Sequence, residues 1–268
     1  MSKIEVLIST MNLVSKDKLL KEMKINKNAI IINQITKDIL KDNLINYNDD
    51  KKNIKILSFC EKGLSKSRNK ALKNSKADIC VIADDDMYYE NDFDETIINE
   101  FEKKPEADLI AFVVDREDQK KSKKRFREGR VGFLKSLKLS SVQISFRRKS
   151  IIDNNILFDE SFGAGSVYPW GEENIFLFDC LKRGLKIYYV PVKIATLYCN
   201  NNSSWDKSNT IEHYNNQGVI YYRMTHKFYW LLIIQFVIRK RNIYKNDLSS
   251  LSVLKSMFDG VKKIKKGK

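Results

Sequence analysis

In Asp78-Ile79-Cys80-Val81-Ile82-Ala83-Asp84-Asp85-Asp86 the run from Ile79 to Ala83 is unbroken in apolar character and leads into three acids, and Asp78 to Ala83 reads as a strand. Such a run, without alternation, suits a strand covered on both faces, as in a parallel sheet flanked by helices. Three adjacent carboxylates repel one another, so a fold that closes a buried strand on them calls for something to offset their charge. A hard divalent cation does this, because it takes oxygen ligands and bridges to phosphate. The carboxyl end of a strand is also where open α/β sheets place their ligand crevice. On an extended backbone Asp84 and Asp86 would face one side and Asp85 the other.

Similar runs flank this stretch. Ile4 to Thr10, Ala29 to Gln34, Ile54 to Phe59 and Asp108 to Val114 read as strands, and Lys16 to Met23, Ser65 to Asn74 and Asn91 to Lys103 as helices, with Ser65 a candidate N-cap. Strands alternating with helices predict βαβ units and an α/β fold with a sandwiched sheet. Past Val114 the alternation breaks. Asp115 to Arg130 is dense in charge and reads as a solvated loop, or as a mobile loop closing over a phosphate-bearing acceptor. Ser141 to Arg147 returns to strand character, a last strand pair is expected over Lys186–Val190 and Val192–Cys199, and the polar stretch Asn202–Asn216 reads as loop.

With 268 residues, 43% hydrophobic and 31% charged, the chain is globular and long enough for one large domain with an appendage. Its net charge of +15 favours an anionic partner. Twelve Lys/Arg against two Asp lie between Val219 and Lys268, so about +10 of that excess sits in the tail. The expected division is therefore a catalytic domain at 1–218 and a basic, amphipathic helical extension at 219–268. The tail alternates Tyr221-Tyr222-Arg223, Phe228 to Ile234 and Arg239-Lys240-Arg241, a pattern that suits either a core-packing helix or one lying on an anionic membrane surface. Phe228 to Ile238 falls short of the roughly 20 residues that a spanning helix needs. MSKIEVLIST lacks a long apolar segment, so a cytoplasmic protein, peripheral on the inner face of the membrane, is expected. The four cysteines have neither CxxC spacing nor paired histidines, which argues against a zinc site or a disulfide framework.

Two further motifs carry chemistry. Gly63-Leu64-Ser65-Lys66-Ser67-Arg68-Asn69 opens a helix, where free amides favour an anion and the Arg68 fork can reach a phosphate or base. Trp170-Gly171-Glu172-Glu173-Asn174 follows Gly163 and Gly165. Trp170 offers a flat face for a sugar, the glycines let backbone approach a ligand, and a carboxylate there can act as general base on an acceptor hydroxyl. His213 is the nearer histidine for a metal site and His226 the poorer.

The order of VLISTMN, GLSKSRNKAL, ADDD and WGEEN resembles the family 2 glycosyltransferases of the GT-A fold, over about Ile4 to Asn200. The resemblance implies a GT-A-like, Rossmann-type mixed sheet and inverting, metal-dependent transfer with Mg²⁺ or Mn²⁺. The donor would be a nucleotide-diphosphate sugar, UDP by family habit, and the acceptor a glycan or lipid-linked hydroxyl in surface polysaccharide (capsule) biosynthesis. It further implies that Thr10 and Gln34 face the base or ribose and that Arg68 and Asn69 line the nucleotide pocket. Asp84 and Asp86 match the DxD pair; shifting the register by one makes Asp85 and Asp86 the ribose and metal contacts, with His213 the candidate further metal ligand. Trp170 and Gly171 would meet the acceptor. Glu173 stands where the family usually carries a basic Asp, so the base is Glu173 or Glu172. Two other readings compete. A nucleotidyltransferase would want glycines after the first strand, and STMNLVSKDK has none. A nucleic-acid- or polyanion-binding module would not concentrate its charge in a tail while its cleft holds five carboxylates, so no nucleic acid partner is expected.

Overall fold

The β-branched runs lie side by side at the centre of one ten-stranded mixed sheet. The computed structural model describes residues 3–36, 46–118, 126–199 and 209–267. Strands β1 (Ile4–Met11), β2 (Ala29–Gln34), β4 (Ile54–Phe59) and β5 (Ile79–Asp84) are parallel, in the order β4-β2-β1-β5. A short strand the sequence did not announce, β3 (Tyr47–Asp49), covers the edge at β4. Beyond β5 the sheet turns mixed. β9 (Ile144–Arg147) runs antiparallel between β5 and β7 (Leu109–Arg116), and β10 (Ile187–Leu197) lies parallel to β7. Two three-residue strands, β6 (Met87–Tyr89) and β8 (Gly129–Val131), pair antiparallel with β10.

Both faces of the sheet are covered, as its continuous apolar strands require. Val6 and Ile8 of β1 join Ile31 and Ile56 on one face, beneath Leu19 of α1 (Lys16–Glu22) and Ile97 and Phe101 of α3 (Phe93–Lys103). Leu7 points the other way with Ile30 and Ile32. There it meets Ala71 and Leu72 of α2 (Leu64–Asn74), Ile151 of α5 (Arg148–Asp153) and Phe176 of α6 (Glu172–Lys182). Each of the Leu, Ile, Val and Phe side chains contributes about 1.5–3 kcal/mol through burial. A one-turn helix, α4 (Phe133–Ser136), precedes β9.

Three local expectations are corrected. Ser141–Gln143 forms a 3₁₀ turn and only Ile144–Arg147 is strand. The expected pair over 186–199 is one strand, β10, whose pairing with β7 shifts between Tyr189 and Lys193. Pro191 lies at the shift, where it can donate no ladder hydrogen bond. Of the charge-dense loop, 119–125 lies outside the described residues, and its end is strand β8.

The chain parts into two compact units, 1–202 and 203–268. In the second, α7 (Ile211–Met224) starts inside the stretch read as polar loop, with the Thr210 hydroxyl accepting from the His213 amide, and it runs through the expected boundary at 218/219. The rest of that loop, 200–208, lies outside the described residues. α8 (Tyr229–Arg239), α9 (Arg241–Tyr244) and α10 (Ser250–Lys265) follow, and the extension is built of several helices. Among the described residues no helix is long and apolar enough to cross a membrane.

Candidate active site

The sheet's winding reverses beside β1. The chain leaves β1 for β2 and β4 on one side, and α2 then carries it back to β5 on the other. Outside the carboxyl ends of β1 and β5 lies the crevice that open α/β sheets use for ligands. Register places Ser9 of β1 opposite Asp84 of β5, so Thr10 and the three acids emerge together.

The acids do not continue the strand. Only Asp84 belongs to β5; Asp85 and Asp86 form the turn into β6, which corrects the alternating arrangement expected of an extended backbone. Each carboxylate consequently has its own surroundings. Asp84 Oδ1 accepts from Arg68 Nη2 at 3.0 Å, and Asp85 Oδ2 accepts from the Thr10 hydroxyl at 2.5 Å. Burial raises Asp85 above the usual carboxylate range, against the lowering effect of the Thr10 bond. Asp86 is pushed up to about 6 by burial and then by the charges of Asp84 and Asp85. A carboxylate so disfavoured in its charged form gains most from a cation.

Arg68 lies beneath this turn, not on its wall. It is 2% exposed, donates from Nη1 to Glu172 at 2.7 Å, and gives Nη2 to both Asp84 and Ser141. Burial disfavours its charge, but Asp84 and Glu172 more than offset this and hold the guanidinium protonated. Arg68 thus makes internal contacts, because it faces buried Glu172 on one side and part-exposed Asp84 on the other. Asn69 is turned inward as well. It exchanges hydrogen bonds with the backbone of Phe158, donating to its carbonyl and accepting from its amide at 2.9 Å each. Gln34 Nε2 donates to the Gly63 carbonyl at 3.0 Å and so braces the turn before α2, while Thr10 orients Asp85.

The segment from Phe158 to Trp170 is docked along α2. Ser65, expected as an N-cap, sits one position past the first helical residue and donates to the Phe162 carbonyl at 2.6 Å; Gly63 occupies the cap. The Leu64 amide donates to the Ala164 carbonyl. Gly163 has φ +102°, and a Cβ there would stand 3.2 Å from Ser65 Oγ and 3.3 Å from Glu172 Cδ, so its hydrogen side chain lets the loop close over both. This docking delivers half-buried Trp170 and the cap residue Gly171 to the start of α6.

At that start the two glutamates part in role. Glu172 is buried and ion-paired with Arg68. Glu173 is raised well above the ordinary glutamate range, first by burial and then by the neighbouring charge of Glu172, and Asn174 donates to its Oε1 at 3.3 Å. A carboxyl whose proton affinity is raised in this way is suited to take a proton. His213 lies on α7 of the second unit, against the Tyr214 ring. Among the described residues no three His, Cys, Asp or Glu side chains cluster as a metal cage. The Ser141 and Ser65 partners were not foreseen, since isolated hydroxyls carry no spacing signal.

The glycosyl transferase family 2 model matches residues 15–166, more than half of the chain. This chain belongs to glycosyl transferase family 2. The matched span takes in α2 and the Asp84–Asp86 turn, while β1 and Glu172–Glu173 lie outside it. As a family 2 member the protein is a glycosyltransferase. Solved structures share its fold. The crystal structure of S. aureus TarS 1-349 in complex with UDP-GlcNAc superposes with a TM-score of 0.64 at 15% identity, over 96% of this chain and 79% of that one. TarS 1-349 alone gives 0.62 at 14%, over 92% and 75%, and its UDP complex gives 0.59 at 14%, over 97% and 81%. No curated protein sequence matches the chain. The mixed α/β sheet flanked by helices is thus the GT-A architecture that the family resemblance implied.

Proposed function

We propose that this family 2 enzyme moves a sugar, with inversion, from a nucleotide-diphosphate donor, UDP-linked, to a hydroxyl of a glycan or lipid-linked acceptor. The observation that carries the reading is the Asp84–Asp85–Asp86 turn at the switch between β1 and β5, with Asp84 and Asp85 already held by Arg68 and Thr10 and Asp86 left in a negative field. The UDP and UDP-GlcNAc complexes of TarS, which share the fold, support a uridine donor.

The donor set suits Mg²⁺ or Mn²⁺. Hard cations of this kind are commonly held by one or two carboxylates together with substrate phosphates. Asp86 would hold the ion, with Asp85 toward the ribose or the ion's waters; when bound, the ion offsets charge that develops on the leaving diphosphate. His213 is not needed for that set.

The chain's own residues do the rest. Thr10 fixes the Asp85 carboxylate, and Arg68 ties the Asp84 turn to the start of α6. Trp170 and Gly171, immediately before α6, are the acceptor's side. Glu173 removes the proton from the acceptor hydroxyl as its oxygen attacks the anomeric carbon opposite the departing phosphate, and Glu172, committed to Arg68, keeps that proton affinity high. Surface polysaccharide biosynthesis at the cytoplasmic side of the membrane is the setting such an acceptor implies. A panel of nucleotide sugars assayed with Mn²⁺ and with chelator tests the reading. Metal-dependent turnover of one UDP-sugar to a product of inverted anomeric configuration is expected; turnover undiminished by chelator, or retained configuration, would contradict it.

A further inference from the structure

The second unit displays a helix that is apolar on two sides. The inner side of α8 buries Leu232 and Ile233, and its Phe236 ring packs near Tyr214 and Tyr221 of α7. The outer side carries Trp230, Leu231, Ile234 and Ile238, exposed by 43%, 47%, 41% and 70%. Their spacing of one, four and eight residues sets all four on one face. Isolated exposed apolar residues are ordinary, but a contiguous face of four within nine positions is not.

α8 is held firmly in place. α7 and α10 cross so closely that a Cβ on Gly218 would lie 2.0 Å from the Met257 carbonyl oxygen, and one on Gly260 would lie 2.1 Å from that of Asn215. The glycines face each other's backbones reciprocally, which fixes the pair against which α8 rests its inner side. The outer face is thus presented by a rigid support.

Charge indicates what covers it. Between Glu212 and Asp247 the sequence has no acidic residue. Exposed Lys227 precedes α8, and exposed Arg239, Lys240 and Arg241 follow its apolar face. A second copy docked face to face would bring these cations against their own counterparts, whereas an anionic surface would neutralise them. At 11 residues, about 16 Å, α8 is far too short to span a bilayer of about 30 Å but long enough to lie in its interface.

We propose that the outer face of α8, Trp230–Leu231–Ile234–Ile238 with the flanking Lys227 and Arg239–Arg241 cations, is a docking surface for an anionic lipid bilayer. The apolar residues enter the headgroup boundary while the cations meet lipid phosphates. This docking goes beyond the donor chemistry and does not depend on it.

The full chain is to be floated with phosphatidylcholine vesicles, with and without phosphatidylglycerol. Binding to the phosphatidylglycerol vesicles is expected, weakened about tenfold or more by Leu231→Ser/Ile234→Ser and likewise by Arg239→Gln/Lys240→Gln/Arg241→Gln. Both sets change exposed residues, so circular dichroism should be unchanged. A blue shift of tryptophan emission on binding should be lost or reduced in Trp230→Phe. Equal binding by parent and variants, or no binding at low salt, would overturn the proposal. So would a concentration-dependent dimer that the double serine variant dissociates, because a second copy would then cover the face.

Discussion

Arg68 Nη1 donates to Glu172 Oε1 at 2.7 Å with both side chains buried, so one ion pair joins α2 to the start of α6. The same guanidinium reaches Asp84 through Nη2. Two carboxylates far apart in sequence, Asp84 at the acid turn and Glu172 beside Glu173, are therefore positioned by a single side chain.

Removing that cation should be costly. Arg68→Met leaves Glu172 buried beside Glu173 with no positive partner, and stability should fall by about 3–5 kcal/mol. Urea unfolding at neutral pH measures the loss. The double variant Arg68→Met/Glu172→Gln should recover part of it, since no uncompensated charge is then buried. A loss below about 1 kcal/mol in the single variant would show that the pair does not hold the site together.

Glu173→Gln should separate activity from stability. The folded state binds the Glu173 proton more tightly than the unfolded chain does, so this group's contribution to stability is fully present below the ordinary glutamate value of about 4.3 and is lost as pH rises through the raised folded value. Glutamine, neutral throughout, escapes that decline. At alkaline pH the variant should be inactive in transfer yet more stable, by about 1–2 kcal/mol, as thermal unfolding would register. Full activity would remove Glu173 as the base.

The pH profile carries the same sign. A base must be deprotonated, so kcat/KM should rise with pH through the raised Glu173 value. Glu172→Gln takes away the neighbouring negative charge that helps to hold the proton, and the rising limb should move to lower pH. An unmoved limb would mean that the rise belongs to another group.

In the second unit, Gly218→Ala should separate α7 from α10, because its methyl would fall on the Met257 backbone, which cannot swing aside. A destabilisation of about 1–3 kcal/mol or more is expected, visible as faster proteolysis within 209–267. Gly267→Ala, where nothing lies within 4 Å of the added carbon, serves as a control for glycine removal, although its φ of +69° carries a strain of its own.

The central strands were legible because strands buried on both faces have continuous apolar runs, and β1, β2, β4 and β5 fall within a residue of the expected bounds. β3, β6 and β8 were not, since three-residue strands are made by pairing with longer partners and have no period of their own. At the site, the acid turn and the glutamate pair stood out as charge clusters. What the sequence could not convey was direction. Arg68, Asn69 and Gln34 were expected to face a ligand, yet each bonds within the protein: Arg68 to Glu172 and Asp84, Gln34 to Gly63, and Asn69 to Phe158 in the segment docked along α2. In the tail, the blocks of aromatic and basic residues were visible, but the Gly218–Gly260 crossing that makes them a folded unit depends on contacts 42 residues apart.

Isothermal titration of UDP into the protein, with Mn²⁺ and then with chelator, tests the role of the Asp84–Asp86 turn most directly. Binding that requires the ion and is lost in Asp86→Ala is expected, and the circular dichroism and unfolding midpoint of that variant should stay at least at parental values, because a part-buried charge repelled by Asp84 and Asp85 has gone. UDP binding of equal strength with chelator, or undiminished in Asp86→Ala, would contradict it.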